Sequence, residues 1–393
     1  MKRFSMVLLA GAAAFAVMSA AAGQPAPASG DALSAAGDFA PAGPAYEARL
    51  KAAPNDAGAL AGLARVRLYE NKPDVAATLA QQALAIEPAN PVARATLAVA
   101  QQRRAAFGPD RYQIAAAPTE SVIPFVVTDP LPVVQVTVGG HPFNFLIDTG
   151  APDIMVSGDV VHALGLQVQS AGEGVFAGGQ RAAVQRTLVP EFPIGQVKVA
   201  NVPAGVMRQA LPIPGVKLDG IIGTGLLMHF LSTLDYCQDR LVLRPRGASA
   251  AFEQTAARGG ANVVPFWLAG DHFIMARAHL LQGREGTFLI DTGLAGGGIS
   301  APKATLDEAG VVIDPGAART GVGGGGPVTF IPFRAGATLG SLTVEDVPGA
   351  YTPGGDPTNI FPFKVSGLLS HMVFRHTRLT FDFDAMRLVT QAC

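Results

Sequence analysis

The six-residue phrase Phe-Leu-Ile-Asp-Thr-Gly occurs twice, at Phe145–Gly150 and at Phe288–Gly293, with the two aspartates 143 residues apart. A second pair of landmarks keeps nearly the same interval. Val122-Ile123-Pro124-Phe125 and Val263-Val264-Pro265-Phe266 place their Pro-Phe steps 141 residues apart. The ends correspond as well: Asp219-Gly220-Ile221-Ile222-Gly223 matches Ser366-Gly367-Leu368-Leu369-Ser370, and Leu234–Val242 matches Phe381–Val389. Intervals held over so long a stretch mark an internal duplication. An aspartate that ends an apolar run before Thr-Gly leaves a buried strand into a tight turn. A lone copy also admits the reading of a plain turn-forming residue. Two copies at matched places can bring two carboxylates within a few ångströms, where like charges cannot both ionise and the pair shares one proton.

Composition narrows the classes open to such a chain. Of 393 residues, 49% are hydrophobic and only 15% are charged, with a net charge of −1. That excludes the basic face expected of a nucleic-acid binder. The 46 glycines and 30 prolines favour a turn-rich, mainly β body over a helical bundle. Lys2 and Arg3, the apolar stretch Met6–Val17 and the small residues Ala20-Ala21-Ala22 read as a signal peptide over residues 1–22. The apolar stretch is short for a membrane span. The expected location is therefore the periplasm or the exterior, with no integral membrane segment after cleavage. Cys237 and Cys393, the two cysteines, can pair in an oxidising compartment or remain separate thiols. The seven histidines are scattered, and no ligand spacing points to a metal site or to a cofactor.

Residues 23–43, rich in Ala, Pro, Gly and Ser, read as a linker. Residues 44–106 read as helical. Asn55-Asp56 offers an N-cap, Leu60, Leu63, Ala64 and Leu68 follow a helical period, and Asn71-Lys72-Pro73-Asp74 interrupts it. Ala76, Ala83 and Pro88 then line a second helix, and Val92–Ala100 starts another. Pro54 and Pro88 lie 34 residues apart, so this stretch resembles a tetratricopeptide repeat, although one full repeat buries little core alone. It must lean on its own flanking helices, on the body or on a partner.

After a linker over 107–120, the body divides into lobe 1 at 121–247, a linker at 248–260 and lobe 2 at 261–393. In each lobe an alternating segment and a turn precede the Asp-Thr-Gly strand; Gly139-Gly140 is the turn in lobe 1. Each lobe then carries a glycine-rich hairpin candidate, Gly172–Gly179 and Gly321–Gly326. Neither ends in the Lys-Ser/Thr of a phosphate loop. A flap over a cleft suits them better, with Val175, Phe176, Gly323 and Gly324 as candidate substrate contacts.

These residues together resemble the aspartic peptidase superfamily, in its retroviral single-lobe and pepsin-like two-lobe forms, over roughly Ser121 to Cys393. Asp148-Thr149-Gly150-Ala151 is similar to the retroviral version, and Asp219–Gly223 to the first-lobe signature of pepsin-like enzymes. The resemblance implies two pseudo-symmetric β-barrel-like lobes behind the small helical unit, closing on each other within a monomer. It implies Asp148 and Asp291 as the catalytic dyad. Thr149, Gly150, Thr292 and Gly293 would support the active-site loops, and Ile221-Ile222 and Leu368-Leu369 would pack beneath them. The implied activity is endopeptidase cleavage of a peptide or protein substrate by a water activated between the carboxylates, without a cofactor. Three departures are plain: Ala151 and Leu294 follow the two Asp-Thr-Gly turns where pepsin-like enzymes place Ser or Thr, Ser370 stands where Gly223 stands in lobe 1, and there is no clear flap tyrosine. They leave open a protein that binds a peptide or envelope component in the same cleft without cutting it, with the helical unit recruiting a protein partner.

Overall fold

The computed structural model describes residues 28–116, 118–176, 180–207, 213–323, 326–354 and 360–393. The segment read as a signal peptide lies outside them. Among the described residues no helix is long and apolar enough to cross a membrane.

The described residues open with five helices: α1 (Gly30–Ala35), α2 (Phe39–Ala52), α3 (Ala57–Tyr69), α4 (Pro73–Ile86) and α5 (Pro91–Ala106). Local chemistry sets their ends. Asp56 accepts a 2.9 Å hydrogen bond from the Ala59 N–H at the start of α3, and Asn90 does the same for Ala93 at the start of α5. Pro73 and Pro91 occupy first-turn positions, where a missing N–H costs nothing. The helices begin earlier than residue 44. The stretch read as a linker over 23–43 carries α1 and the start of α2, because Phe39, Ala42 and Tyr46 form a buried face that its Ala/Pro/Gly composition conceals. Tyr46 packs where Gly62 has no side chain; a Cβ there would lie 2.2 Å from the ring.

The helical unit leans on lobe 2. Phe39, Leu68, Tyr69, Ala76, Ala77 and Ala100 share an apolar core with Trp267, Ala269, Met275, Leu289, Phe363 and Val365. Phe39 sits edge-on to Tyr69 and to Phe363, with centroids 5.0 and 4.9 Å apart. Burying one such ring contributes about 1.5–3 kcal/mol, so this is a fixed interface.

The lobes meet in a continuous antiparallel sheet. Its strands run Ser121–Val127, Arg240–Pro245, Phe230–Asp235, Thr377–Asp382, Arg387–Ala392 and Asn262–Ala269, each paired with the next. At its centre Thr233 faces Thr380, with hydroxyl oxygens 2.8 Å apart and buried. The order is the same outwards from that pair on either side, as the duplicated sequence requires.

Each lobe carries one strand-turn unit of the same design. In lobe 1, Val133–Val138 and His141–Ile147 form a hairpin closed by Gly139 and Gly140, at φ 57° and 83°. Two positive φ values in a two-residue turn match the strand twist, and glycine adopts them without strain. His141–Ile147 then runs parallel to Gly220–Ile222. In lobe 2, Phe273–Leu280 pairs with Gly286–Ile290, which runs parallel to Gly367–Leu369. Thus both Asp-Thr-Gly turns emerge from a central strand buried on both faces.

Two further stretches read as linkers are structured. Gln113–Ala116, within 107–120, is a strand paired with Val197–Val206 of lobe 1. Ser249–Arg258, within 248–260, is a helix. Cys237 and Cys393 form a disulfide with Cα atoms 5.4 Å apart, tying the chain's last residue to the strand end at the lobe boundary.

Candidate active site

Asp148 and Asp291 each follow the last residue of a buried strand, Ile147 and Ile290, and their backbone N–H groups donate to the carbonyls of Ile222 and Leu369. Those partners belong to the Ile221-Ile222 and Leu368-Leu369 elements, so the parallel strand fixes where each aspartate leaves the sheet. Each carboxylate then accepts a 2.8 Å hydrogen bond from the glycine two residues on, Gly150 to Asp148 and Gly293 to Asp291.

The two turns interlock. The Thr149 N–H donates to the Thr292 hydroxyl and the Thr292 N–H to the Thr149 hydroxyl, each at 3.1 Å. Each hydroxyl in turn donates across the boundary, Thr149 to the Ile290 carbonyl at 2.9 Å and Thr292 to the Ile147 carbonyl at 2.8 Å. Both threonines are fully buried, so every one of these groups would be costly to leave unpaired. The glycines complete the approach. A Cβ on Gly150 would lie 2.5 Å from Asp291 Cγ, and one on Gly293 2.3 Å from Asp148 Cγ. Only a residue without a side chain fits at either place.

This brings the carboxyl groups of Asp148 and Asp291 together across the lobe boundary, each against the glycine of the other turn. Burial, then the negative charge of Asp291 and the hydrogen bond to it, push Asp148 well above the usual carboxylate range. Burial also raises Asp291, but the Gly293 N–H and the hydrogen bond from Asp148 favour its charged form. The pair therefore shares one proton and titrates as a unit. Each aspartate remains partly exposed, so solvent reaches the pair.

Around the dyad the lobes differ. In lobe 1 the Thr224 hydroxyl donates to the Thr149 carbonyl at 2.9 Å. The matching place in lobe 2, directly after Ser370, is His371, which is fully buried and has no hydrogen-bond partner at either ring nitrogen. Burial lowers its pKa to about 4, against the opposing pull of Asp129. Ser370 has a structural reason. A Cβ at Gly223 would lie 2.5 Å from the Ala151 carbonyl oxygen, whereas the Ser370 hydroxyl accepts from the Leu294 N–H at 3.2 Å. The loop after Asp291 runs differently and makes room for that side chain.

The flap candidates are only partly described. Val175 and Phe176 pair with Arg181 and Gln180 at the end of the hairpin Gln169–Phe176/Gln180–Ile194, and Gly323 pairs with Gly326 in Arg319–Gly323/Gly326–Leu339. Gly324 lies outside the described residues, as do 177–179. Both lobes thus carry a long hairpin at the place where the glycine-rich sequence stands. Among the described residues no group of His, Cys, Asp and Glu is arranged to hold a metal ion.

Sequence reasoning passed over His272 among the scattered histidines. Its Nε2 lies 3.0 Å from the Gly150 carbonyl oxygen and its Nδ1 2.5 Å from Asp271 Oδ1. The one available signal was its place in the duplicated frame, the same turn that holds Asp129 in lobe 1.

Residues 134–226 match the aspartyl protease family. The match covers most of lobe 1 and none of lobe 2. Lobe 2 repeats the strand order and turn of lobe 1, as the paired registers show. No curated protein matches the chain. Among solved structures, the chain is similar to an aspartic proteinase from Irpex lacteus at 12% identity and a TM-score of 0.44, covering 70% of this chain and 97% of that one. A retropepsin-like aspartic protease from Rickettsia conorii aligns at 20% identity and a TM-score of 0.26, covering 34% of this chain and 96% of that one.

Proposed function

We propose that the chain is an aspartic-type endopeptidase in which Asp148 and Asp291 activate one water between them. The observation that carries this reading is the pair of carboxyl groups brought together across the lobe boundary, each against the opposite turn's glycine, with the turns locked by Thr149 and Thr292. The ionised carboxylate of the pair takes a proton from the water as the oxygen attacks the scissile carbonyl. The protonated one donates its proton to the carbonyl oxygen. Collapse of the tetrahedral intermediate breaks the C–N bond, with a proton passed to the leaving amine, and no covalent intermediate forms. An extended peptide would lie between the dyad and the hairpins ending at Phe176 and Gly323, held partly by main-chain hydrogen bonds. Export to an oxidising compartment fits the signal-like N-terminus and the Cys237–Cys393 bond.

Cleavage of a peptide library by the wild type and by Asp148→Asn and Asp291→Asn tests this. Each variant should lose at least about 10³-fold in kcat, since neither carboxamide can exchange the proton. Wild-type rates in both would end the dyad reading.

A second reading, a peptide-binding protein with little or no turnover and a partner on its tetratricopeptide-like helices, draws on Leu294. Its apolar side chain stands where pepsin-like enzymes place a hydroxyl beside the carboxylates. Tight binding of a hydroxyl-bearing transition-state mimic would count against this reading, because such mimics bind best where a site is complementary to the transition state.

A further inference from the structure

The turn between Asn262–Ala269 and Phe273–Leu280 belongs to lobe 2, yet its histidine reaches lobe 1. His272 is buried, and both of its ring nitrogens are engaged. The Gly150 carbonyl can only accept, so Nε2 donates to it. Asp271 is ionised: burial works to raise it, but the hydrogen bond and charge of His272 hold it at about 2. The ring thus bridges the Asp271 carboxylate and the Gly150 carbonyl.

The turn is gripped from the other side by α5. Gln102 donates to Asp271 Oδ2 at 3.2 Å. Arg103, its neighbour, is buried and donates to the carbonyls of Leu268 and Gly270, and to that of Leu68 in α3. A continuous run of polar contacts thus leads from α5 through Asp271 and His272 to Gly150, the residue on which Asp291 packs. The arrangement is one-sided. In lobe 1 the matching turn residue is Asp129, and its Oδ1 lies 3.8 Å from His371 Nε2, beyond hydrogen-bond reach.

We propose that His272 is a positioning residue for the dyad, and that docking of α5 on the Gly270–His272 turn sets the Gly150 carbonyl and so the spacing of Asp148 and Asp291. This rests on the endopeptidase reading for its kinetic consequence but not for its structural one. Misplacement of a reacting group by about 1 Å costs on the order of 10²-fold in rate.

The experiment measures peptide cleavage, melting and amide hydrogen exchange of the segment 146–156 in the full chain, for His272→Ala, His272→Gln, Gln102→Ala, Asp271→Asn and Asp148→Asn. His272→Ala should lower kcat about 10- to 100-fold with KM nearly unchanged, and speed exchange in 146–156. His272→Gln, which keeps a donor for the Gly150 carbonyl, should recover part of both. Gln102→Ala and Asp271→Asn should shift both readouts in the same direction by a smaller factor, and they decide the matter if His272→Ala does not fold. Wild-type kcat and wild-type exchange in the His272 variants, with Asp148→Asn inactive, overturn this proposal and leave the dyad standing. An active Asp148→Asn overturns the dyad, and the exchange rates still judge the link from His272 to Gly150.

Discussion

Thr149 and Thr292 exchange hydrogen bonds across the lobe boundary, each hydroxyl accepting from the other's backbone N–H and donating to a carbonyl one strand end away. Two residues 143 positions apart thus close a small symmetric ring of buried polar contacts. The ring holds the aspartates beside them at fixed separation. Each threonine is needed for its hydroxyl, and the reach of that hydroxyl is short.

Thr292→Ala removes an acceptor from the Thr149 N–H and a donor from the Ile147 carbonyl, both buried. The expected cost is about 2–4 kcal/mol, mostly from the groups left unpaired. Thr292→Ser keeps the hydroxyl and should stay within about 1 kcal/mol of wild type. Denaturant unfolding of both variants checks this; equal stabilities would show that the ring contributes little.

Gly293→Ala places a methyl group 2.3 Å from Asp148 Cγ, so one of the two turns must move. Activity should fall at least about 10²-fold through misplacement of the dyad, and Gly150→Ala, which meets Asp291, should behave alike. Kinetics alongside thermal melting separate lost geometry from lost fold. Full activity in either variant would mean that the carboxylates do not stand where the glycines place them.

Stability should depend on pH through Asp148. Its folded pKa is raised, by burial and by Asp291, so between the unfolded value of about 3.9 and the raised value the folded state binds more protons than the unfolded one. Stability then falls as pH rises through that window. Asp148→Asn removes the group, and should melt higher than wild type at neutral pH, with the difference shrinking towards pH 4. A variant that melts lower at neutral pH would show that the ionised pair is not under electrostatic stress.

The disulfide between Cys237 and Cys393 closes a loop with a sequence separation of 156. Replacing both by serine should cost about 2–4 kcal/mol, seen as a lower denaturation midpoint that reducing agent reproduces in the wild type. Because the bond anchors Cys393 at the end of Arg387–Ala392, the loss should speed amide exchange first in that strand. Unchanged exchange there, with an unchanged midpoint, would assign the bond no role in holding the sheet.

Much of the candidate site was legible because duplication makes each half a control for the other. Gly139-Gly140 and the two Asp-Thr-Gly steps are local signals, and the structure places them at turns that local conformational preference already requires. The residues read as linkers were less legible. Phe39 and Tyr46 are seven positions apart in an Ala/Pro/Gly stretch, and only the ring of Tyr69 and the side chains of Trp267 and Phe363 give Phe39 a reason to be there. Ser370 looked like a departure from pattern, because nothing local shows that the chain beyond Leu294 leaves space for a hydroxyl to accept the Leu294 N–H.

The sequence by itself determined the two acidic turns and the strands that deliver them, since apolar runs, glycine turns and the duplicated order act over a few residues at a time. Tertiary structure alone decided that the helical unit docks on lobe 2, that Cys237 meets Cys393, and that His272 crosses to the Gly150 carbonyl. Those contacts join residues more than a hundred positions apart, and their energy depends on packing, distance and burial, none of which is written in any one stretch of chain.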